Sequence, residues 1–396
     1  MIISPVIVIC VLILVAYFFD LTSKFTKIPT VIFLLLLGWL VKQLVVFFNI
    51  NMPVLEPILP FLGSVGLALI VLEGGLELEL NKSKKKILNS TALSALIPVL
   101  VLILIFGYAF SYYSGHSLIN GIINAIPLCV ISSSIAIPSV QNLSKDNKEF
   151  IIYESSFSDI FGVVFFNFFV ANEVISFFEV TNFLLQIVLI LVISLIASLG
   201  LAFLIKNIHH HVKSIPIIIM VILIYEVSEI FHLPALIFIL IFGLLLNNLD
   251  ELKNINFIKK LEPYKLDIEV RRFRGIVMEF TFLVRTVFFI LFGYVINTSE
   301  LFNLEGLLIA SAIMFCIIFV RFIYFLVAKI KPVTPLMFIA PRGLITILLF
   351  LSIPDSKKIP FINETLMLQI ILLSTILMMF GLMFNKKKPN YETTTT

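Results

Sequence analysis

Glu154-Ser155-Ser156-Phe157-Ser158-Asp159 stands at the head of an apolar stretch covering residues 150–172. If that stretch crosses a bilayer as a helix, a rise of about 1.5 Å per residue puts Asp159 roughly 13 Å past its start, near the midplane. Ionisable side chains at such depth are costly and mark the pathways of ions and protons. Ser155 lies four residues before Asp159 on the same helical face, so its hydroxyl joins the carboxylate around one small ion. A carboxylate in a partly dry site accepts either a proton or a hard cation, and each event excludes the other. That competition is the core of an exchange mechanism, with a small hard cation at Asp159 as the expected load. The plainer alternative is a carboxylate neutralised by a neighbouring span, for which a Ser-Ser-x-Ser-Asp run is a poor choice.

The rest of the chain agrees that 150–172 is a span. Of the 396 residues, 60% are hydrophobic and 13% charged, and the mean hydropathy is +1.13. A soluble chain of this length carries charge on roughly a quarter of its residues. Apolar runs fall at about 2–19, 30–48, 58–79, 87–110, 117–142, 150–172, 180–205, 214–232, 234–248, 279–296, 304–328, 334–353 and 363–384. Most have the length that crosses ~30 Å of hydrocarbon as a helix. Short alternating segments of a β-barrel are absent. The fold class expected is an all-α polytopic membrane protein of about thirteen helices, in one membrane domain over 1–385 with a short cytoplasmic tail, 386–396. Ile2–Phe19 lacks a basic leader and a small-residue cleavage site and reads as the first span.

Loop charges support that count. With the N-terminus outside, twenty-two basic residues fall on the cytoplasmic side, and only Lys357 and Lys358 face out. This is the positive-inside pattern of a multi-pass protein of the inner (plasma) membrane with a cytoplasmic C-terminus. Residues 249–278 carry charges of both signs with apolar residues between them and are expected to form a cytoplasmic amphipathic linker.

Two spans carry breaking signals at matching places. The fifth holds Ser132-Ser133-Ser134-Ile135-Ala136-Ile137-Pro138, and the twelfth holds Ala340-Pro341-Arg342-Gly343. Proline removes a backbone donor, and broken helices at corresponding positions of two halves point to a transporter's ion site. The halves run over about 1–172 and 214–385, around a linker helix at about 180–205. An odd helix between two six-span halves makes them inverted repeats. Arg342 lies mid-span and needs a partner, for which Glu154 is the choice, as a structural pair. Glu73, in Leu72-Glu73-Gly74-Gly75-Leu76-Glu77, is a third acidic candidate, and Glu77 one turn on either lines an ion funnel or is a surface charge. Glu226 and Glu229 are ambiguous, with pairing to Arg285 as one option. Lys42 and Arg321 lie near span ends and are expected to snorkel.

Other classes find less support. Cys10, Cys129 and Cys316 sit in apolar runs and read as buried small hydrophobes. His209, His210 and His211 fall in a loop and read as solvated. No zinc-protease, nucleophile-elbow or Cys/His pattern appears, so no enzyme is expected, nor any cofactor beyond the transported Na+ and H+, nor a nucleic-acid partner. A channel would show a repeated filter, and an organic-anion porter more buried cations than Arg285 and Arg342.

At these residues the chain resembles the monovalent cation:proton antiporter superfamily, and within it the NhaP-like sodium/proton antiporters. The similarity spans nearly the whole chain and rests on four short motifs. These are Glu73-Gly74-Gly75-Leu76-Glu77-Leu78, Glu154 to Asp159, Arg285-Thr286-Val287-Phe288-Phe289 and Pro341-Arg342-Gly343. The resemblance implies an NhaA-like antiporter fold, a homodimer, and an elevator-like movement of a core domain. It implies that Asp159 carries sodium and protons in turn, that Glu73 helps to form the ion site, and that Glu154 and Arg342 pair to stabilise the core. Two departures stand out. Ser158 replaces the usual Asn before the aspartate and is expected to join Asp159, Ser155 and Glu73 as a cation ligand; with no second Asp there a one-for-one, electroneutral exchange is expected. Ala136-Ile137-Pro138 stands where the family has Thr-Asp-Pro, leaving Ser132, Ser133 and Ser134 to supply oxygens instead. K+/H+ exchange, Li+ transport, or symport of another small solute on the same scaffold are the alternatives.

Overall fold

The computed structural model describes residues 5–26, 28–48, 58–78, 84–140, 143–172, 178 and scattered positions from 181 to 200, 214–230, 235–248, 263–295 and 303–383. All regular structure among the described residues is helical. The elements are α1 (Pro5–Thr26), α2 (Thr30–Phe47), α3 (Ile58–Glu77), α4 (Lys85–Ser114), α5 (Leu118–Cys129), α6 (Ser133–Ser139) and α7 (Lys145–Ala171). They continue as α8 (Ser214–Ile230), α9 (Ala235–Asn247), α10 (Pro263–Val295), α11 (Leu304–Val327), α12 (Val333–Leu336), α13 (Leu344–Leu351) and α14 (Glu364–Met383). Seven helical stretches among the described residues are long and apolar enough to cross a membrane, and shorter apolar helices accompany them. Half of the expected seventh run, 180–205, and all of the His209–His211 loop lie outside the described residues. Every other expected run holds a described helix. The linker expected at 249–278 is helical from Pro263 and passes without a break into the following span as α10.

The helices bury one face and leave the other apolar and open. On α4, Ala95, Val99, Leu102 and Phe106 are buried, while Leu104, Tyr108 and Tyr112 are exposed. The spacing is that of a helix with one packed face, and an exterior this apolar is suited to lipid. Cys10 is exposed and Cys316 half-buried, so only Cys129 is the buried small hydrophobe expected of all three.

Packing divides the bundle into two groups. In the scaffold group α10 lies along α2 and α3, α9 lies along α3, and α1 and α8 flank them. In the core group α4 packs on α5 and α7, and α11 packs on α4 and α14. The scaffold's two closest crossings are made by glycines. A Cβ on Gly75 of α3 would stand 2.8 Å from the Leu240 carbonyl oxygen of α9, and one on Gly243 of α9 would stand 2.9 Å from that of Leu72. Gly38 of α2 and Gly293 of α10 meet the facing backbone in the same way. Such close approach is how helices associate without a hydrophobic driving force. Matching the first six spans to the last six in order, α2 to α9 and α3 to α10, exchanges these two crossings. The groups meet where α3 and α9 face α6, α7 and α13.

Candidate ion-binding site

The site is built around two interruptions that cross. The first is Val130–Ser132, between α5 and α6, and the second is Ile339–Gly343, between α12 and α13. Their backbones bond directly, Ser132 N donating to Pro341 O at 2.8 Å. Gly343 makes this crossing possible, because a Cβ there would fall 2.7 Å from Ser132 Oγ and 2.6 Å from Ile135 Cδ1. Pro341 and Gly343 lie in the second break as expected. The first break lies upstream of its expected place: Ser133, Ser134, Ala136, Ile137 and Pro138 are all inside helix α6. The reason is that Pro138 perturbs only the end of its own short helix, whereas tertiary bonds hold Val130–Ser132 open. Ile131 N donates to Ser158 Oγ at 2.9 Å, so Ser158, expected to bind the cation, holds unwound backbone instead.

Unwinding leaves carbonyl groups without intrahelical donors, and inside a membrane these must be met. Arg342 meets them at both breaks. Its Nε donates to Leu128 O at 2.7 Å, its Nη2 to Cys129 O at 3.2 Å and its Nη1 to Ala340 O at 2.6 Å. The Arg342 amide donates to Ser374 Oγ at 2.9 Å. A guanidinium with its five N–H groups in a rigid fork serves several carbonyls at once.

The expected pair of Glu154 and Arg342 is therefore corrected. The guanidinium bound to Glu154 is that of Arg321 on α11, with Nη1 to Oε1 at 3.0 Å and Nη2 to Oε2 at 3.1 Å. Both side chains are 1% exposed. Arg321 also donates to the carbonyls of Leu336, Met337 and Ile339 at and beyond the end of α12, and its Cζ lies 4.9 Å from the Phe325 ring centroid. It does not snorkel. Six residues from the end of α11, it sits roughly 9 Å inside the helix, and that depth was the signal in the sequence. Lys42 is the cation that behaves as a capping group, its Nζ donating to Val295 O at the end of α10 at 3.2 Å.

Asp159 is buried on α7 and points at the start of α6. Its Oδ2 accepts from the hydroxyl of Ser133 and, at 3.4 Å, from the Ser133 amide. Its Oδ1 is buried with no hydrogen-bond partner among the described residues. The Ser155 hydroxyl donates back to Ile151 O at 2.8 Å, which leaves its lone pairs available. Beside Asp159 is a cavity with room of about 10 Å³ for the centre of a water-sized particle. Its walls are Val71 of α3, Ile160 and Val163 of α7, and Leu236, Ile237 and Leu240 of α9. That volume suits about one water-sized occupant. It lies where core meets scaffold, and apart from the carboxylate its walls are apolar.

Glu73 is half-buried on α3, with Arg285, Glu77, Thr281 and Arg274 as its polar neighbours. Glu77 Oε1 is 3.6 Å from Arg274 Nη2, an ion pair at the end of the scaffold. Arg285 does not pair with Glu226, which is exposed; its Nη1 donates to Ser134 O at 3.1 Å. The Glu229 side chain lies outside the described residues. No group of three or more His, Cys, Asp or Glu side chains arranged to hold a metal occurs among the described residues. Arg321 and Ser374 are the two members of the site that the sequence reading missed.

The family model described as sodium/hydrogen exchanger, transmembrane, matches residues 9–385. The chain belongs to the sodium/hydrogen exchanger family. Among solved structures, this exchanger chain is similar to the sodium proton antiporter MjNhaP1 from Methanocaldococcus jannaschii. The structure of that protein at pH 8 is 18% identical over 96% of this chain and 95% of its own, with a TM-score of 0.68. A map of it by electron microscopy gives 19% identity, 98% and 100% coverage, and a TM-score of 0.69. At this identity the likeness shows a shared exchanger fold. No curated protein sequence matches the chain significantly. Family and fold together make it a multi-pass membrane protein.

Proposed function

We propose that this exchanger moves Na+ against H+ one for one, with Asp159 holding each in turn. One observation carries the reading. Asp159 is a buried carboxylate with one oxygen fixed by Ser133 and the other unclaimed, beside a single-occupant cavity between core and scaffold. A hard cation takes oxygen ligands, and Asp159 Oδ1 with the lone pairs of Ser155 offers them from one helical face. Protonation of the same oxygen removes the charge that holds the cation, so the two loads alternate. No second carboxylate adjoins Asp159 on α7, which favours an electroneutral cycle. Glu73 contributes from the scaffold side, and Glu154, held by Arg321, serves as a structural pair.

Alternating access follows as an elevator-like shift of the core group against α3 and α9, whose apolar side chains pass the loaded site. The protein works as a homodimer in the inner (plasma) membrane, N-terminus out and C-terminus in, needs no cofactor and catalyses no covalent chemistry. Proteoliposomes with an internal pH dye and an imposed pH gradient test this. Added Na+ dissipates the gradient in the wild type; equal responses to Na+, Li+ and K+ would overturn the assignment of sodium, and no response to any of them would overturn the exchange itself.

A further inference from the structure

Pro138 and Arg285 solve one problem between them. In an intact helix the carbonyl of Ser134 would accept from the amide of residue 138, but proline has none. The donor comes from across the boundary between the two groups, as Arg285 Nη1 at 3.1 Å. Arg285 belongs to the scaffold. Its helix α10 is fixed there by the contact of Gly293 with Leu35 and by its packing along α2 and α3. Ser134 belongs to the core, and its hydroxyl lies 2.8 Å from that of Ser132 at the break. The residue between them, Ser133, holds Asp159. A scaffold cation thus grips the short helix that seats the ion-binding carboxylate.

We propose that Arg285 is a positioning residue of the transport cycle, a latch that seats α6, and with it Asp159, in the present arrangement of core against scaffold. The inference rests on the exchange reading given above. Sliding of the core breaks the bond, so the latch stabilises one end state of the cycle. Its loss weakens apparent cation affinity more than maximal rate, because the carboxylate itself is untouched.

Four variants assayed in proteoliposomes decide it: Arg285→Met, Arg285→Lys, Pro138→Ala and the double Arg285→Met/Pro138→Ala. Loss of a hydrogen bond to a charged donor predicts a rise of about tenfold in the cation KM of Arg285→Met, with maximal rate changed much less. Arg285→Lys keeps a charged donor and recovers most of the affinity. Pro138→Ala supplies an amide to Ser134 O, displaces the latch and shifts KM in the same direction. The double variant goes no further than either single one, since both remove one interaction. An unchanged KM in Arg285→Met, or additive effects in the double, would overturn the latch. Amide exchange of peptides covering 130–140 in the purified protein supplies a readout independent of transport. Exchange is faster in Arg285→Met, and equal protection overturns the contact even if the wild type moves no cation and the exchange reading falls.

Discussion

Glu154 and Arg321 meet end-on deep in the bundle, two parallel hydrogen bonds of 3.0 and 3.1 Å joining residues 167 positions apart. Removing one member of such a buried pair leaves the other uncompensated, at a cost of about 3–5 kcal/mol. Arg321→Ala is therefore expected to lower thermal stability sharply, read as early aggregation in detergent. A double variant, Glu154→Gln/Arg321→Met, recovers only part of the loss, because the carbonyls of Leu336, Met337 and Ile339 still lack their donor. Full recovery would mean that Arg321 serves Glu154 alone.

Arg342 has a different duty, so its loss has a different signature. Arg342→Met strands the carbonyls of Leu128, Cys129 and Ala340 while leaving Glu154 paired. Hydrogen bonds from a charged donor contribute about 1.5–3 kcal/mol each, so this variant also loses stability. Its effect should add to that of Arg321→Met, since the two cations hold different carbonyls. A large coupling in a double-mutant cycle would restore the pairing of Arg342 with Glu154.

Gly343→Ala places a methyl group against Ser132 and Ile135 where the two breaks cross. Overpacking of this kind costs about 1–3 kcal/mol. It also spreads the Ser132–Pro341 backbone bond that sets the register of α6. Transport is expected to fall at least tenfold while the folded protein survives size-exclusion chromatography. Exchange near the wild-type rate would show that the crossing tolerates separation.

These contacts mark what could be read in the chain and what could not. The helical class, the two broken spans and the depth of Asp159 follow from hydropathy, proline positions and a rise per residue, all local properties. The partner of Glu154 is not local. Arg342 and Arg321 both lie in apolar runs, and only packing brings the Arg321 guanidinium, rather than that of Arg342, to Glu154. The first break was misplaced because Pro138 is the visible signal, while Val130–Ser132 is held open by Ser158, Pro341 and Arg342 from elsewhere. Ser133 was legible as a source of oxygen, yet nothing in the spacing said that it, before Ser155, would bond Asp159.

Ser133→Ala removes the hydroxyl that holds Asp159 Oδ2 and leaves the weaker amide contact at 3.4 Å. The carboxylate remains, so transport persists. Its cation KM is expected to rise by about tenfold, checked by titrating Na+ in the dye assay. Complete loss of transport would make Ser133 an indispensable ligand and not a support.

The central claim is that Asp159 carries the cation and the proton in turn. Asp159→Asn preserves volume and the bond to Ser133 but offers no exchangeable charge. Wild type and variant, reconstituted at matched density with the pH dye inside and a pH gradient imposed, are each challenged with Na+. The account predicts that sodium dissipates the gradient in the wild type and leaves it standing in Asp159→Asn. Sodium-driven dissipation by the variant at a comparable rate would contradict it.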